Sequence, residues 1–275
     1  MTVGGPARRP GTTSGYVPVN GLDMYYEIHG DGSPLALLHG AMGTIDSCFA
    51  DLLPALAVTR QVIAIELQGH GHTADVDRPL SYQQMAADAA ALLEALGIEL
   101  ADLVGYSMGG AVALQMAMQH PRRARRVVFA GGTSYRRDGL YPEMLEEPES
   151  AADDLTDSAW YQAYVRVAPD PGRWPVLVAK NSELDRTFAG WPDEDIQAMT
   201  TPMLLIIGDS DIVRPEHTMT MFRLLGGGVI GDLAGLPASQ LAVLPGTSHV
   251  GLLDRVDWLQ SMILEFLGSP VPRPL

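Results

Sequence analysis

Six consecutive residues, Gly105-Tyr106-Ser107-Met108-Gly109-Gly110, carry the clearest chemical signal in the chain. They join an apolar run at Asp102–Tyr106 to a helical pattern that begins at Met108. A serine in that setting occupies a tight strand-to-helix turn. The small residues around it let backbone pass close by, and the helix N-terminus adds a positive field. A hydroxyl alone is a weak nucleophile. It needs a base to take its proton and a carboxylate to orient that base. His249 follows a late apolar run, in Leu244-Pro245-Gly246-Thr247-Ser248-His249. Asp209 and Asp211 follow another, in Gly208-Asp209-Ser210-Asp211. The order serine, acid, histidine suits acyl transfer on a parallel sheet, whose C-terminal loops gather on one edge.

Other reactive residue types lack a context. Gly226-Gly227-Gly228-Val229-Ile230-Gly231 matches G-x-G-x-x-G, but it follows a helix rather than a strand and opens no helix, so no dinucleotide cofactor is expected. His70 and His72 have no further ligands beside them, and no metal is expected there. His29 stands in an early strand as a packed or surface residue. Lys180 is the single lysine, which gives Schiff-base chemistry one weakly supported candidate. Cys48 is the only cysteine and reads as a small buried hydrophobe. One cysteine cannot form an intrachain disulfide, which fits a cytoplasmic location.

The elements that must position the serine alternate along the chain. Met24–Gly30 and Leu35–His39 read as strands separated by the turn Asp31-Gly32-Ser33-Pro34. Asp46–Ala57 reads as a helix and Gln61–Leu67 as a strand. Ser81–Leu96 reads as a helix capped by Ser81, with Met85, Ala89, Leu92, Leu93 and Leu96 on one face and Gly97 at its end. A strand at Asp102–Tyr106, a helix at Met108–His120 stopped by Pro121, and a strand at Arg126–Ala130 follow. The rhythm breaks at Gly131. From 133 to 199 no strongly apolar strand appears, and aromatic residues, acids and prolines predominate. It returns with a strand at Pro202–Gly208, a helix at Pro215–Leu225, a strand at Gln240–Leu244 and a helix at Leu252–Leu267. Strand–helix alternation of this kind predicts an α/β fold: a mostly parallel sheet with helices on both faces.

Composition limits the partners. The 275 residues are 47% hydrophobic and 19% charged, with a net charge of −15. Nucleic-acid phosphates need basic patches, so no nucleic-acid partner is expected. The one basic cluster, Arg122, Arg123, Arg125 and Arg126, suits a helix C-terminus. No apolar run reaches the eighteen residues of a membrane span. The segment from Met1 has two arginines but no apolar stretch behind them, so it does not read as a secretory signal.

With these residues in place, the chain resembles the α/β-hydrolase superfamily. The resemblance runs from Tyr16 to Leu267. It rests on His39-Gly40-Ala41-Met42-Gly43, Gln68-Gly69-His70-Gly71-His72-Thr73, the turn at Ser107, Gly208–Asp211 and His249. In style it is similar to the esterase, lactonase and peroxidase-like subgroups. It implies a core at 16–132 and 200–268, a helical cap at 133–199, and tails at 1–15 and 269–275. It further implies Ser107 as nucleophile, His249 as general base and acid, and Asp211 as its orienter. Asp211 is preferred to Asp209 because it fills the fourth position of the family's Gly-x-x-Asp. The backbone N–H groups of Ala41 and Met108 would form the oxyanion hole, with no cofactor or metal. The chain departs from the pattern at Glu66, where Asp is usual, and at Gln68, where Arg is frequent; both positions are structural in most members.

The implied function is hydrolysis of a small or medium, uncharged carboxylic ester or lactone through an acyl-enzyme. Acidity of the whole chain disfavours anionic substrates. The cap holds three of the four tryptophans, so Trp160, Trp174 and Trp191, with Met42, are the expected pocket lining. Alternatives are perhydrolysis or C–C bond hydrolysis on the same triad, a small-molecule receptor with slow turnover, and a non-enzymatic scaffold. Superfamily members that dehalogenate or open epoxides carry an aspartate nucleophile, which Ser107 argues against. The sequence does not fix the oligomeric state.

Overall fold

Leu35–Leu38, Val62–Ile65, Val127–Ala130 and Met203–Ile207 are apolar throughout, so strands built from them need cover on both faces. In the structure, a computed structural model that describes residues 12–132, 134–145 and 155–270, all of these residues are buried. The chain runs through β1 (Thr13–Val19), β2 (Leu22–His29), β3 (Ser33–Leu38), α1 (Ile45–Phe49), α2 (Leu52–Leu56), β4 (Arg60–Ile65), α3 (Tyr82–Ala95), β5 (Ala101–Tyr106), α4 (Met108–Gln119) and β6 (Ala124–Ala130). Short 3₁₀ turns at Arg137–Gly139 and Pro142–Met144 follow, then α5 (Ala159–Val167), a 3₁₀ turn at Pro171–Arg173, α6 (Trp174–Thr187) and α7 (Asp193–Gln197). The chain closes with β7 (Met203–Ser210), α8 (Pro215–Leu224), α9 (Gly231–Ala234), β8 (Gln240–Ser248), a 3₁₀ turn at Val250–Leu252 and α10 (Val256–Gly268).

The strands form one eight-stranded sheet in the order β1-β2-β4-β3-β5-β6-β7-β8. From β4 to β8 all neighbours are parallel; β1 and β2 are antiparallel. Helices cover both faces. Met85, Ala89 and Leu92 of α3 and Val112 and Met116 of α4 pack with Leu38, Ile63 and Leu103 on one side. Phe49, Leu53 and Leu56 of α1 and α2, with Ile263 and Phe266 of α10, pack with Leu35, Leu37 and Val104 on the other. No helix among the described residues is long and apolar enough to cross a membrane.

Four details differ from the sequence expectation. Thr13–Gly15, placed in a tail, open strand β1, which pairs with β2 from Thr13↔Ile28 onward. The signal was there: Asn20-Gly21 turns the hairpin with both φ angles positive, +49° and +84°. Residues 1–11 and 271–275 of the expected tails lie outside the described residues. Asp46–Ala57 is two short helices rather than one, because Pro54 cannot donate to the Ala50 carbonyl and its ring crowds that turn. Strand β8 reaches Ser248, beyond the expected Leu244. The glycine-rich Gly226–Gly231 is a turn after α8, followed by the single turn α9 that the sequence did not suggest.

Between β6 and β7 the described chain forms no strand, only a bridge of Leu140 to Val213. Tyr164, Trp174, Leu177 and Val178 give this excursion its own small apolar centre. The basic cluster divides: Arg123 pairs with Glu94, and Arg125 and Arg126 bond the carbonyls of Phe266, Leu267 and Ser269 at the C-terminus of α10.

Candidate active site

Strand β5 lies between β3 and β6, and its C-terminal end delivers Ser107 to the sheet edge. Ser107 has φ +54° and ψ −120°, a backbone conformation L-residues rarely adopt. The turn is held by the Ser107 N–H donating to the Ala130 carbonyl at 2.9 Å. Close packing requires its glycines. A Cβ at Gly105 would sit 2.2 Å from the Gly109 carbonyl oxygen, and one at Gly109 2.1 Å from that of Leu38. Although Ser107 stands at the N-cap of α4, its hydroxyl caps no backbone N–H. It faces His249 instead.

His249 Nε2 lies 3.0 Å from Ser107 Oγ, and His249 Nδ1 lies 2.9 Å from Asp211 Oδ1. Residues from positions 107, 211 and 249 thus meet in one hydrogen-bonded line. The Tyr106 hydroxyl donates to the His249 carbonyl at 3.1 Å, and its ring stacks on the imidazole at 5.2 Å. Gly132, at φ +60°, is a close neighbour: a Cβ there would come within 3.1 Å of His249 Cε1. Asp211 is buried and accepts from the N–H groups of Ile212 (2.7 Å) and Gly132 (3.2 Å). Burial pushes its carboxyl up, but the bond and charge of His249, with those N–H groups, outweigh burial and hold it below the usual carboxylate range.

Asp209 does something different. It is exposed and accepts from the N–H groups of Gly246 (2.9 Å) and Thr247 (3.1 Å), which bind the ends of β7 and β8 together and hold its carboxyl low. Ala41 and Met108 both line the cavity at Ser107. The loop that carries Ala41 is fixed by His39. The buried ring pairs Nδ1 with the Gly40 carbonyl (2.8 Å) and accepts the Leu67 N–H at Nε2 (3.1 Å); burial holds its pKa down.

The cavity at Ser107 has a volume of about 190 Å³. Ala111, Phe129, Leu140, Phe188 and Tyr82 give it apolar walls, and Ser134, Arg136, Arg137, Ser182 and Asp185 give it polar ones. None of the four expected lining residues is among its walls. Met42, at φ +57°, packs with Trp160 against the apolar centre of the excursion, in which Trp174 is buried. Trp191 is buried beside Phe188 and Tyr82, its Nε1 donating to Gln115 at 2.6 Å. A short helical excursion needs large apolar side chains to make any core at all, and Trp160 and Trp174 serve that need, while Trp191 joins the main core. Aromatic content alone did not distinguish the two uses.

The excursion is tied to the core by a network centred on Asp75. Lys180 of α6 donates to both oxygens of Asp75 and to the carbonyls of Val76 and Arg78, each at 2.8 Å. Gln68 donates to Asp75 and to the Arg78 carbonyl and accepts from the Arg78 guanidinium. Glu66 accepts from the N–H groups of Ile45 and His72 and from the His72 ring. His70 points at the Gln68 carbonyl and at Asn181. Among the described residues, no group of three or more His, Cys, Asp or Glu is placed to hold a metal ion.

Comparison with known proteins bears on the fold. The sequence profile described as "alpha/beta hydrolase fold" matches residues 33–172. The RutD protein of Azorhizobium caulinodans, assigned as a carbamate hydrolase, is 27% identical over 269 residues, covering 90% of this chain and 96% of that one. A pimeloyl-[acyl-carrier protein] methyl ester esterase of Neisseria meningitidis serogroup A is 27% identical over 259 residues, covering 86% and 78%. The crystal structure of a serine hydrolase involved in carbazole degradation superposes with a TM-score of 0.72 at 21% identity, covering 94% of this chain and 99% of that one.

Proposed function

The chain belongs to the alpha/beta hydrolase fold family, and we propose that it is a serine hydrolase that cleaves a small carboxylic ester or lactone through an acyl-enzyme. The observation that carries this reading is the line Ser107–His249–Asp211, with contacts of 3.0 and 2.9 Å. Ser107 Oγ attacks the carbonyl carbon while His249 Nε2 takes its proton. The Nδ1–H of the imidazole donates to Asp211, whose carboxylate steadies the positive ring that forms. The N–H groups of Ala41 and Met108 receive the oxyanion. His249 then protonates the leaving alcohol, and water, deprotonated by the same ring, releases the acid.

Substrate size follows from the cavity. Its volume of about 190 Å³ lies below the roughly 300–1,000 Å³ usual for drug-sized ligands, which supports a short acyl chain. The esterase among the relatives supports ester chemistry in the same family. The test is Ser107→Ala on p-nitrophenyl esters from C2 to C16. We expect activity with the wild type to peak at short or medium chains, and kcat in the variant to fall by roughly 10⁴ or more with an unaltered circular dichroism spectrum. Residual activity above about one per cent would remove Ser107 from the mechanism. A maximum at C12 or longer would remove the small cavity from it.

A further inference from the structure

The cavity at Ser107 carries two arginines, Arg136 and Arg137, in a chain whose net charge is −15. They are not equivalent. Arg136 is already engaged: its guanidinium lies over the Tyr135 ring at 5.1 Å, reaches the Tyr135 hydroxyl at 3.4 Å, and stands 3.6 Å from Asp138 and 3.5 Å from Asp193. Arg137 is not. The Nε of each is buried without a hydrogen-bond partner, but for Arg137, among the described residues, no carboxylate stands within ion-pair distance either. An arginine cannot shed its proton, so its charge stays in place. A buried donor left unpaired is costly, and cationic side chains without partners in a cleft are rare for that reason. The acid that lines the same cavity is Asp185, which stands on α6 and has interactions of its own.

We propose that Arg137 is a specificity-determining residue that receives a carboxylate carried by the substrate, so that the preferred ester has an ionised acid at one end. This rests on the serine-hydrolase reading above. The planar guanidinium matches a carboxylate in geometry and charge, and such charge-assisted pairs are the stronger class of hydrogen bond. The acidity of the chain does not oppose it. Charges scattered over the surface are screened beyond about 8 Å at physiological salt, whereas Arg137 would touch its ligand directly. The substrate is then a half-ester: a short dicarboxylic acid esterified at one end, or a hydroxy acid acylated on its hydroxyl. Both present one carboxylate to Arg137 and one ester to Ser107.

The experiment compares acid-bearing esters with neutral counterparts of equal length. One arm pairs monomethyl glutarate with methyl pentanoate, placing the carboxylate on the acyl side. The other pairs 4-acetoxybutanoate with butyl acetate, placing it on the alcohol side. The expected result is a kcat/KM ratio of acid over neutral ester above one in at least one arm. That ratio falls roughly 10–100-fold in Arg137→Gln, chiefly through KM, and is partly restored in Arg137→Lys. A ratio at or below one in both arms, or one that Arg137→Gln leaves alone, overturns the proposal.

Binding provides a second readout that does not need turnover. Ser107→Ala protein titrated calorimetrically with glutarate should bind more tightly than the Ser107→Ala/Arg137→Gln double variant, and equal affinities would also overturn it. If Ser107→Ala still hydrolyses methyl pentanoate, the serine-hydrolase reading fails by itself, while the binding contrast still decides for or against Arg137.

Discussion

Asp209 and Asp211 lie two positions apart, yet they occupy different chemical environments. Asp211 is buried against His249, while Asp209 lies in solvent and holds the Gly246 and Thr247 N–H groups. Asp211→Asn keeps the shape but removes the charge that favours the Nδ1–H tautomer and the positive ring. It should lower kcat on p-nitrophenyl butyrate by roughly 10³–10⁴. Asp209→Asn should leave kcat within about tenfold and instead lower the melting temperature by a few degrees, because two backbone donors lose a charged acceptor. The reverse ranking of the two kcat values would exchange their roles.

At the scale of the element, the turn from β5 to α4 holds Ser107 at φ +54°, ψ −120°, a conformation that glycine alone adopts readily. Backbone strain of this kind is of the order of 1–3 kcal/mol. Glycine adds about 0.5–1 kcal/mol of lost chain entropy on folding. The balance favours glycine, so Ser107→Gly should be more stable than Ser107→Ala by about 0.5–2 kcal/mol, although both lack the nucleophile. Urea unfolding of the two variants measures this. An alanine variant as stable as the glycine one would mean that the turn relaxes and stores no strain.

At the scale of the molecule, Lys180 joins the excursion to the core through Asp75 and two carbonyls. Burial pushes the Asp75 carboxyl up, but its bonds from Lys180, Gln68 and Arg173 outweigh that and hold it below its ordinary value. A carboxyl with a depressed folded pKa contributes stability in full above its unfolded value of about 4 and loses it as pH falls through the folded one. Lys180→Met leaves those acceptors without their charged donor. It should lower stability by about 1–3 kcal/mol at pH 7, and the gap from wild type should narrow below pH 4 as Asp75 takes up its proton. Denaturation midpoints at pH 7 and pH 3.5 test this, and a gap that does not depend on pH would show that Asp75 is not the partner that matters.

Much of the site was legible in sequence because its signals are local. A serine between glycines, after an apolar run and before a helix, specifies its own turn. Parallel strands then bring Asp211 and His249 to the same sheet edge as Ser107, since each lies just beyond a C-terminal strand end. The Asn20-Gly21 turn of the β1–β2 hairpin is equally local. The cavity walls were not legible. Trp174 and Trp191 have the composition of a pocket and the burial of a core, and only packing against Tyr164, Tyr82 and Phe188 separates the two. Net charge likewise says nothing of where charge sits. That Arg137 stands at the cavity with no carboxylate in ion-pair distance among the described residues while Arg136 has two, and that Lys180 reaches Asp75 across 105 positions, depends on how the excursion lies over the sheet. Those contacts join segments with no shared local pattern, so the tertiary fold alone decided them.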